Sequence, residues 1–216
     1  MQHPDAVLFD LDGTIIDSEV PFADSINHTL AAFGQPEREP SELRQYLGPP
    51  THEAFSELLG PDEKLIQAAV ETYRAHYAQH SGATTTVYDG MPELLRYLHA
   101  HMPLAVATSK IRVAAVALLE GLGLADLFVT ISGPAQDAVN ESKATTIARA
   151  LEGLGELQIA SPVMIGDRLY DVVGAREHKI PTIGVLWGAG SEQELRAARA
   201  DWIVAKPDEI PPILGV

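Results

Sequence analysis

Short unbroken apolar runs alternate along this chain with longer segments whose apolar residues recur at helical spacing. Ala6-Val7-Leu8-Phe9 ends in Asp10, and Leu104-Ala105-Val106-Ala107 ends in Thr108. Leu127-Phe128-Val129-Thr130-Ile131 ends in Ser132-Gly133, and Val163-Met164-Ile165 ends in Gly166-Asp167. Thr182-Ile183-Gly184-Val185-Leu186 and Trp202-Ile203-Val204 follow. Runs that are continuous rather than alternating suit parallel strands buried on both faces. Between them the pattern predicts helices over 92–99, 113–120, 143–154, 171–178 and 192–200, with Pro92 in a first turn and Gly121 closing its helix. This βαβα order predicts an α/β fold, a Rossmann-like doubly wound parallel sheet with helices on both faces.

One stretch breaks the rhythm. Between about Ser18 and His80 no strand is visible, and four helices are expected over 21–33, 39–47, 52–59 and 61–80. The domain organisation expected is therefore a core of residues 1–17 and 82–216, with a four-helix insertion at 18–81. Ser81-Gly82-Ala83-Thr84-Thr85-Thr86 has linker composition. With Asp17-Ser18 on the outward side, it predicts a two-stranded hinge.

Composition narrows the classes. The chain has 216 residues, 46% of them hydrophobic, as in a globular protein. No apolar run approaches the roughly 20 residues that span a bilayer. Met1-Gln2-His3-Pro4-Asp5 lacks the basic start and apolar stretch of a signal peptide, so a cytoplasmic location is expected. The absence of cysteine excludes disulfides, thiolate metal sites and a Cys nucleophile. A net charge of −15 without a basic cluster argues against nucleic acid and against anionic membranes. A phosphorylated substrate would then need local positive charge, from a cation and one or two basic side chains. Nothing in the sequence sets an oligomeric state.

In an open α/β sheet, ligands bind beyond the carboxyl ends of the strands. The polar residues ending strands here are Asp10, Thr108, Ser109 and Asp167. In Asp10-Leu11-Asp12-Gly13-Thr14, two aspartates one residue apart can both face such a site. A carboxylate can attack phosphorus once a cation offsets the repulsion between anions, and a second can move protons for the leaving oxygen and the attacking water. Gly13 permits a turn that aims amide donors at phosphate. An ordinary Asp-Gly turn is the plain alternative, weakened by the buried strand ahead of it. Asp167 beside Asp10 would gather like charges tolerable only around a cation, and all-oxygen ligation suggests Mg²⁺. Asp171 lies in the first turn of a helix, where it also suits the dipole. Lys143 opens a helix, an unfavourable place for a cation by the dipole alone, so it asks for a local partner. His76 and His80 stand one helical turn apart, but no third metal ligand is evident.

Taken together, these segments resemble the haloacid dehalogenase superfamily, in its phosphoglycolate phosphatase-like branch. The resemblance covers nearly the whole chain. It rests on Asp10-Leu11-Asp12-Gly13-Thr14, Ala107-Thr108-Ser109-Lys110, Lys143 and Gly166-Asp167-Arg168-Leu169-Tyr170-Asp171, in that order. It implies a mobile helical cap, Asp10 as the nucleophile forming an aspartyl-phosphate, and Asp12 as general acid/base. Thr108 and Lys143 would hold phosphate. Mg²⁺ would be ligated by Asp10, the Asp12 carbonyl and Asp167, with Asp171 supporting the metal or orienting Lys143. Leu11, Gly13, Ser109 and Arg44 are expected to contact a small phosphorylated metabolite. Dehalogenases of the superfamily lack an acid at the position of Asp12, so phosphoryl transfer is the implied chemistry. Sugar-phosphate mutase, nucleotidase and pyrophosphatase are the neighbouring activities. A phosphoaspartate signalling domain or a silent phosphate-binding protein is the non-enzymatic alternative. Ala144 and Arg168 depart from the usual pattern, which has proline and a small residue at these places.

Overall fold

The computed structural model describes residues 4–136, 138 and 141–216. Met1–His3, part of the stretch read for a leader, lie outside them. The first strand, β1 (Ala6–Phe9), leads through a short antiparallel hinge made by β2 (Ile16–Asp17) and β3 (Thr86–Val87). Between β2 and β3 lies the helical insertion: α1 (Glu19–Ala32), α2 (Pro40–Leu43), α3 (Thr51–Leu59) and α4 (Glu63–Thr84). The core then continues with α5 (Met91–His99), β4 (Leu104–Ala107), α6 (Arg112–Gly121), β5 (Thr130–Ser132), α7 (Lys143–Gly153) and β6 (Pro162–Gly166). It ends with α8 (Leu169–Glu177), β7 (Thr182–Val185), α9 (Glu192–Ala198), β8 (Trp202–Val204) and α10 (Ile210–Leu214).

The six-stranded sheet is parallel throughout, in the order β5-β4-β1-β6-β7-β8. Side chains alternate across it, as the two-residue period of a strand requires. Val7, Phe9, Leu104, Val106, Val163 and Ile165 pack on one face with Leu95 of α5 and Leu119 of α6. Ala6, Leu8, Ala105, Ala107 and Met164 pack on the other with Ile147 and Ala150 of α7 and Ala175 of α8. Each strand is therefore apolar at consecutive positions. Full burial of a Leu, Val or Phe side chain stabilises by roughly 1.5–3 kcal/mol. The insertion has its own apolar cluster, including Phe22, Ile26, Leu30, Leu43, Phe55, Ile66 and Tyr73.

Three expected boundaries move. Leu127 belongs to a 3-10 turn, its amide bonded to the Leu124 carbonyl, and β5 starts only at Thr130. The insertion's second helix is a four-residue α segment continued by a 3-10 turn over Arg44–Tyr46. The linker-like Ser81–Thr84 is helical. The Thr85 amide still bonds the Ser81 carbonyl, and Ser81 is buried, so α4 runs past His80 to Thr84.

The chain order reverses at β1, which is flanked by β4 on one side and β6 on the other. Loops leaving these three strands diverge there and open a crevice at the carboxyl edge of the sheet.

Candidate active site

Asp10 follows β1, Thr108 follows β4 and Asp167 follows β6, so the switch point collects all three. Lys143 and Asp171 arrive from helix starts. Ser142 caps α7, its hydroxyl accepting from the Thr145 amide at 3.2 Å. Side chains lean toward a helix's N-terminus, and this carries Lys143 back over the sheet edge. Its Nζ lies 2.7 Å from Asp10 Oδ1 and 2.9 Å from Asp171 Oδ1, and donates to the Ala107 carbonyl at 3.2 Å. The Asp171 carboxylate is fixed by the Arg168 amide at 3.0 Å.

Asp167 is held from two sides, by the turn after β1 and the loop after β7. Its Oδ2 accepts from the Ala189 amide at 2.8 Å, and its Oδ1 accepts from the Thr14 hydroxyl at 3.3 Å. Gly13 comes so close that a Cβ there would lie 2.4 Å from Asp167 Oδ2, and its φ of +81° is in the left-handed region. The loop after β7 is equally tight, since a Cβ on Gly188 would meet the Gly13 carbonyl at 2.2 Å.

Asp10, Asp167 and Asp171 are 5%, 1% and 0% exposed, and one carboxylate oxygen from each lies within 4.8 Å of the others. No other cluster of this kind occurs among the described residues. Burial pushes the Asp10 carboxyl up to about 7, with the Lys143 charge opposing and Asp171 adding to the rise. Burial, Asp171 and Asp10 push Asp167 up to about 8 against the Ala189 amide. Burial alone would lower the Lys143 pKa, but Asp10 and Asp171 outweigh it and hold the ammonium well above its usual range. Three carboxylates facing one ammonium leave an excess of negative charge. A hard divalent cation on oxygen ligands fits that set, while a thiolate- or imidazole-seeking ion does not.

Asp12 turns away from this cluster. Its Oδ1 lies 3.1 Å from Lys110 Nζ. This contact, like that of Lys143 with Asp171 Oδ1, is an ion pair without a well-angled hydrogen bond. Lys110 also donates to the Tyr77 hydroxyl of α4 at 3.1 Å. The backbone amide of Leu11 is taken by Asp10 Oδ1 at 2.7 Å. Thr108 Oγ1 accepts from the Lys110 amide at 3.1 Å, and Ser109 is half-buried beside it.

Arg44 does not enter the carboxylate cluster. It pairs with Glu19 at 3.5 Å and donates to the Gly188 carbonyl at 2.7 Å, so it spans the insertion and the core. Arg168 spans them in the opposite direction. From the core it donates to the Leu47 carbonyl of the insertion and, through Nε, to Glu194 at 2.9 Å. With Lys110 and Tyr77 these contacts close the insertion over the carboxylates. A surface cavity of about 390 Å³ beside the hinge, lined by Asp17, Tyr88 and Trp187 among others, does not include them.

Sequence reasoning missed Tyr77 and the reach of Arg168. Neither had a local signal, because each acts on a residue more than 30 positions away. It also missed His28, whose ring stacks on His76 at 4.0 Å, as His76 does on His80 at 4.1 Å. Near-parallel rings in a column do not converge on one ion, and they form no ligand cluster with the residues around them.

A switch-point aspartate cluster with a lysine beneath a helical insertion defines a class of α/β hydrolases. The profile of the haloacid dehalogenase-like hydrolases matches residues 7–185, and the chain belongs to that family. It is 37% identical over its whole length to a protein of Mycobacterium tuberculosis named tyrosine-protein kinase PtkA, covering 74% of that protein. It is 36% identical over 91% of its length to a 5'-nucleotidase of Pseudomonas aeruginosa, covering 89% of it. The crystal structure of a predicted phosphatase from Clostridium acetobutylicum superposes with a TM-score of 0.92 at 37% identity, with both chains covered completely. Relatives named phosphoglycolate phosphatase place the chain in that branch of the superfamily.

Proposed function

We propose that the protein is a Mg²⁺-dependent phosphatase that hydrolyses a small, phosphoglycolate-like phosphomonoester through an aspartyl-phosphate on Asp10. Its class, phosphoric monoester hydrolase, accords with the family. The observation that carries the reading is the buried set Asp10, Asp167 and Asp171 around Lys143, with Asp12 across the same turn. Asp10, the Asp12 main-chain carbonyl and Asp167 would hold the ion, supported by Asp171. When bound, it would offset the repulsion between phosphate and carboxylate and polarise the phosphoryl oxygens.

The protein's own groups do the rest. Asp10 attacks phosphorus in line with the leaving oxygen. Asp12 protonates that oxygen, then takes a proton from the water that cleaves the acyl phosphate. Lys143, Thr108 and Ser109 bind the phosphoryl oxygens as charge builds on them, joined by the Leu11 amide once Asp10 Oδ1 releases it, whereas the Gly13 amide donates to the Ile16 carbonyl at 2.9 Å and serves the turn. The insertion between β2 and β3, residues 18–85, acts as a cap that must move for substrate to reach carboxylates this deeply buried, and Arg44 sits at its rim. A cap seated directly on the site favours a small leaving group.

The test is phosphate release from p-nitrophenyl phosphate. Turnover should need Mg²⁺, stop in excess chelator, and fall at least about 10³-fold in Asp10→Asn. Robust turnover in that variant would refute the mechanism. A panel ranked by kcat/KM then separates phosphoglycolate from nucleoside monophosphates, pyrophosphate and sugar phosphates. The relative named a kinase adds one arm, transfer of labelled phosphate to a tyrosine peptide, which this reading expects to be absent.

A further inference from the structure

Two lysines approach the aspartate turn, and they do different things. Lys143 serves Asp10 and Asp171. Lys110 touches neither, and among the described residues its ion-pair partner is Asp12. It is mounted at the end of β4, where its amide is tied to Thr108 Oγ1. Its ammonium lies 4.3 Å over the ring of Tyr77 and donates to the same residue's hydroxyl at 3.1 Å. A lysine stem is flexible, and holding one ammonium costs up to about 2 kcal/mol of rotamer entropy. The Tyr77 ring and hydroxyl confine it from one side, and Asp12 confines it from the other. Tyr77 belongs to α4 of the insertion, buried beside Tyr73 with ring centroids 5.6 Å apart. The contact therefore exists only when the insertion is docked.

We infer that Lys110, held by Tyr77 of the docked insertion, is a positioning residue that orients the Asp12 carboxylate for proton transfer to the leaving group. The inference rests on the acid/base reading of Asp12 given above. Proton transfer demands placement to within about 0.5 Å, and a carboxylate on a short turn has free rotation about χ2 unless something fixes it. Docking of the insertion brings Tyr77 to Lys110, and Lys110 fixes Asp12. The acid is thus aligned only over a covered substrate.

The dependence of the rate on leaving group reports this role. Nitrophenolate departs without a proton, whereas an alkoxide needs one. kcat/KM covers the steps from free enzyme and substrate up to leaving-group departure, so hydrolysis of the aspartyl-phosphate does not enter it, and the difference between the two leaving groups reads the proton. Lys110→Met should lower kcat/KM for the best alkyl phosphate of the panel about 10- to 100-fold more than for p-nitrophenyl phosphate, part of the 10²–10⁴ that a general acid contributes. Tyr77→Phe keeps the ring and its packing and should show the same bias at roughly three- to tenfold, part of the same contribution. Asp12→Asn sets the full bias. Equal losses on both substrates, or none, in Lys110→Met and Tyr77→Phe overturn the positioning role while Asp12→Asn keeps its bias. An unbiased Asp12→Asn overturns the acid itself, and the inference with it. Tyr77→Phe decides the matter if Lys110→Met does not fold.

Discussion

Removing the divalent cation should make the protein less stable as the pH rises from 5 to 8. An aspartate in the unfolded chain titrates near 3.8, whereas folded Asp10 is held at about 7 and Asp167 at about 8, chiefly by burial. Between those values the folded state keeps protons that the unfolded state has lost. Stability is then full below pH 4 and drains away as the pH climbs through the folded values. At about 1.4 kcal/mol per pH unit, the step from 3.8 to about 7 corresponds to about 4 kcal/mol for Asp10. The two groups do not simply add, because each raises the other. Since ordinary carboxylates are already ionised at pH 5, about 3 kcal/mol of the Asp10 contribution falls between pH 5 and 7. His76 acts in the opposite direction. Burial, His28 and His80 lower its pKa, so the neutral ring is favoured and stability falls on acidification. That effect is common to both metal states and cancels in their difference. A cation bound to the ionised cluster at 100 times its dissociation constant stabilises by about 2.7 kcal/mol. The measurement is thermal unfolding in EDTA and in Mg²⁺ at pH 5, 6, 7 and 8. A chain of this size shifts by roughly 2–4 °C per kcal/mol. The gap between the two curves should therefore widen by roughly 6–12 °C across that range. A gap that stays constant or narrows would refute the argument that like charges are gathered there for a cation.

Two further substitutions test the closed arrangement. Gly13→Ala puts a Cβ into Asp167 Oδ2 and forces an L side chain into left-handed backbone, worth about 1–2 kcal/mol by itself. It should raise the Mg²⁺ concentration needed for half-maximal activity at least about tenfold, because 1.4 kcal/mol is already tenfold in affinity; an unchanged Mg²⁺ titration would show that Asp167 moves aside freely. Arg168→Ala removes the charged donor that joins the core to Leu47 and Glu194. Hydrogen bonds to charged groups contribute about 1.5–3 kcal/mol, so KM should rise and the Tyr46–Leu47 bond beside the lost contact should be cut faster by chymotrypsin in limited proteolysis. Wild-type KM and cleavage rate would leave Arg168 without a closing role.

The sheet and the edge that gathers the candidate site were legible because both depend on local pattern. A parallel strand covered on both faces is an unbroken apolar run, and its last polar residue marks the edge where ligands sit, so Asp10, Thr108 and Asp167 could be placed together without coordinates. The same signal failed at Leu127-Phe128-Val129, where the apolar run enters through a 3-10 turn and periodicity does not separate turn from strand. Composition also failed at Ser81-Gly82, because a helix end is set by tertiary burial as well as by residue preference. The contacts between insertion and core had no pattern to read. Tyr77 reaches Lys110 across 33 positions, Arg44 reaches Gly188 across 144, and Arg168 reaches Leu47 across 121. Arg168 was visible in one respect, as a departure from the small residue usual at its place. The structure gives that departure a physical content. A small side chain after Asp167 leaves the insertion free of the core at this point, whereas an arginine long enough to reach the Leu47 carbonyl ties the two together. On the proposed reading of the insertion as a cap, selectivity would depend on how the tie is released as well as on which groups line the cap. Arg168 and Arg44 both donate to neutral backbone carbonyls at the insertion–core boundary, and an anionic group on the leaving portion of a substrate would compete for either guanidinium more strongly than a carbonyl does.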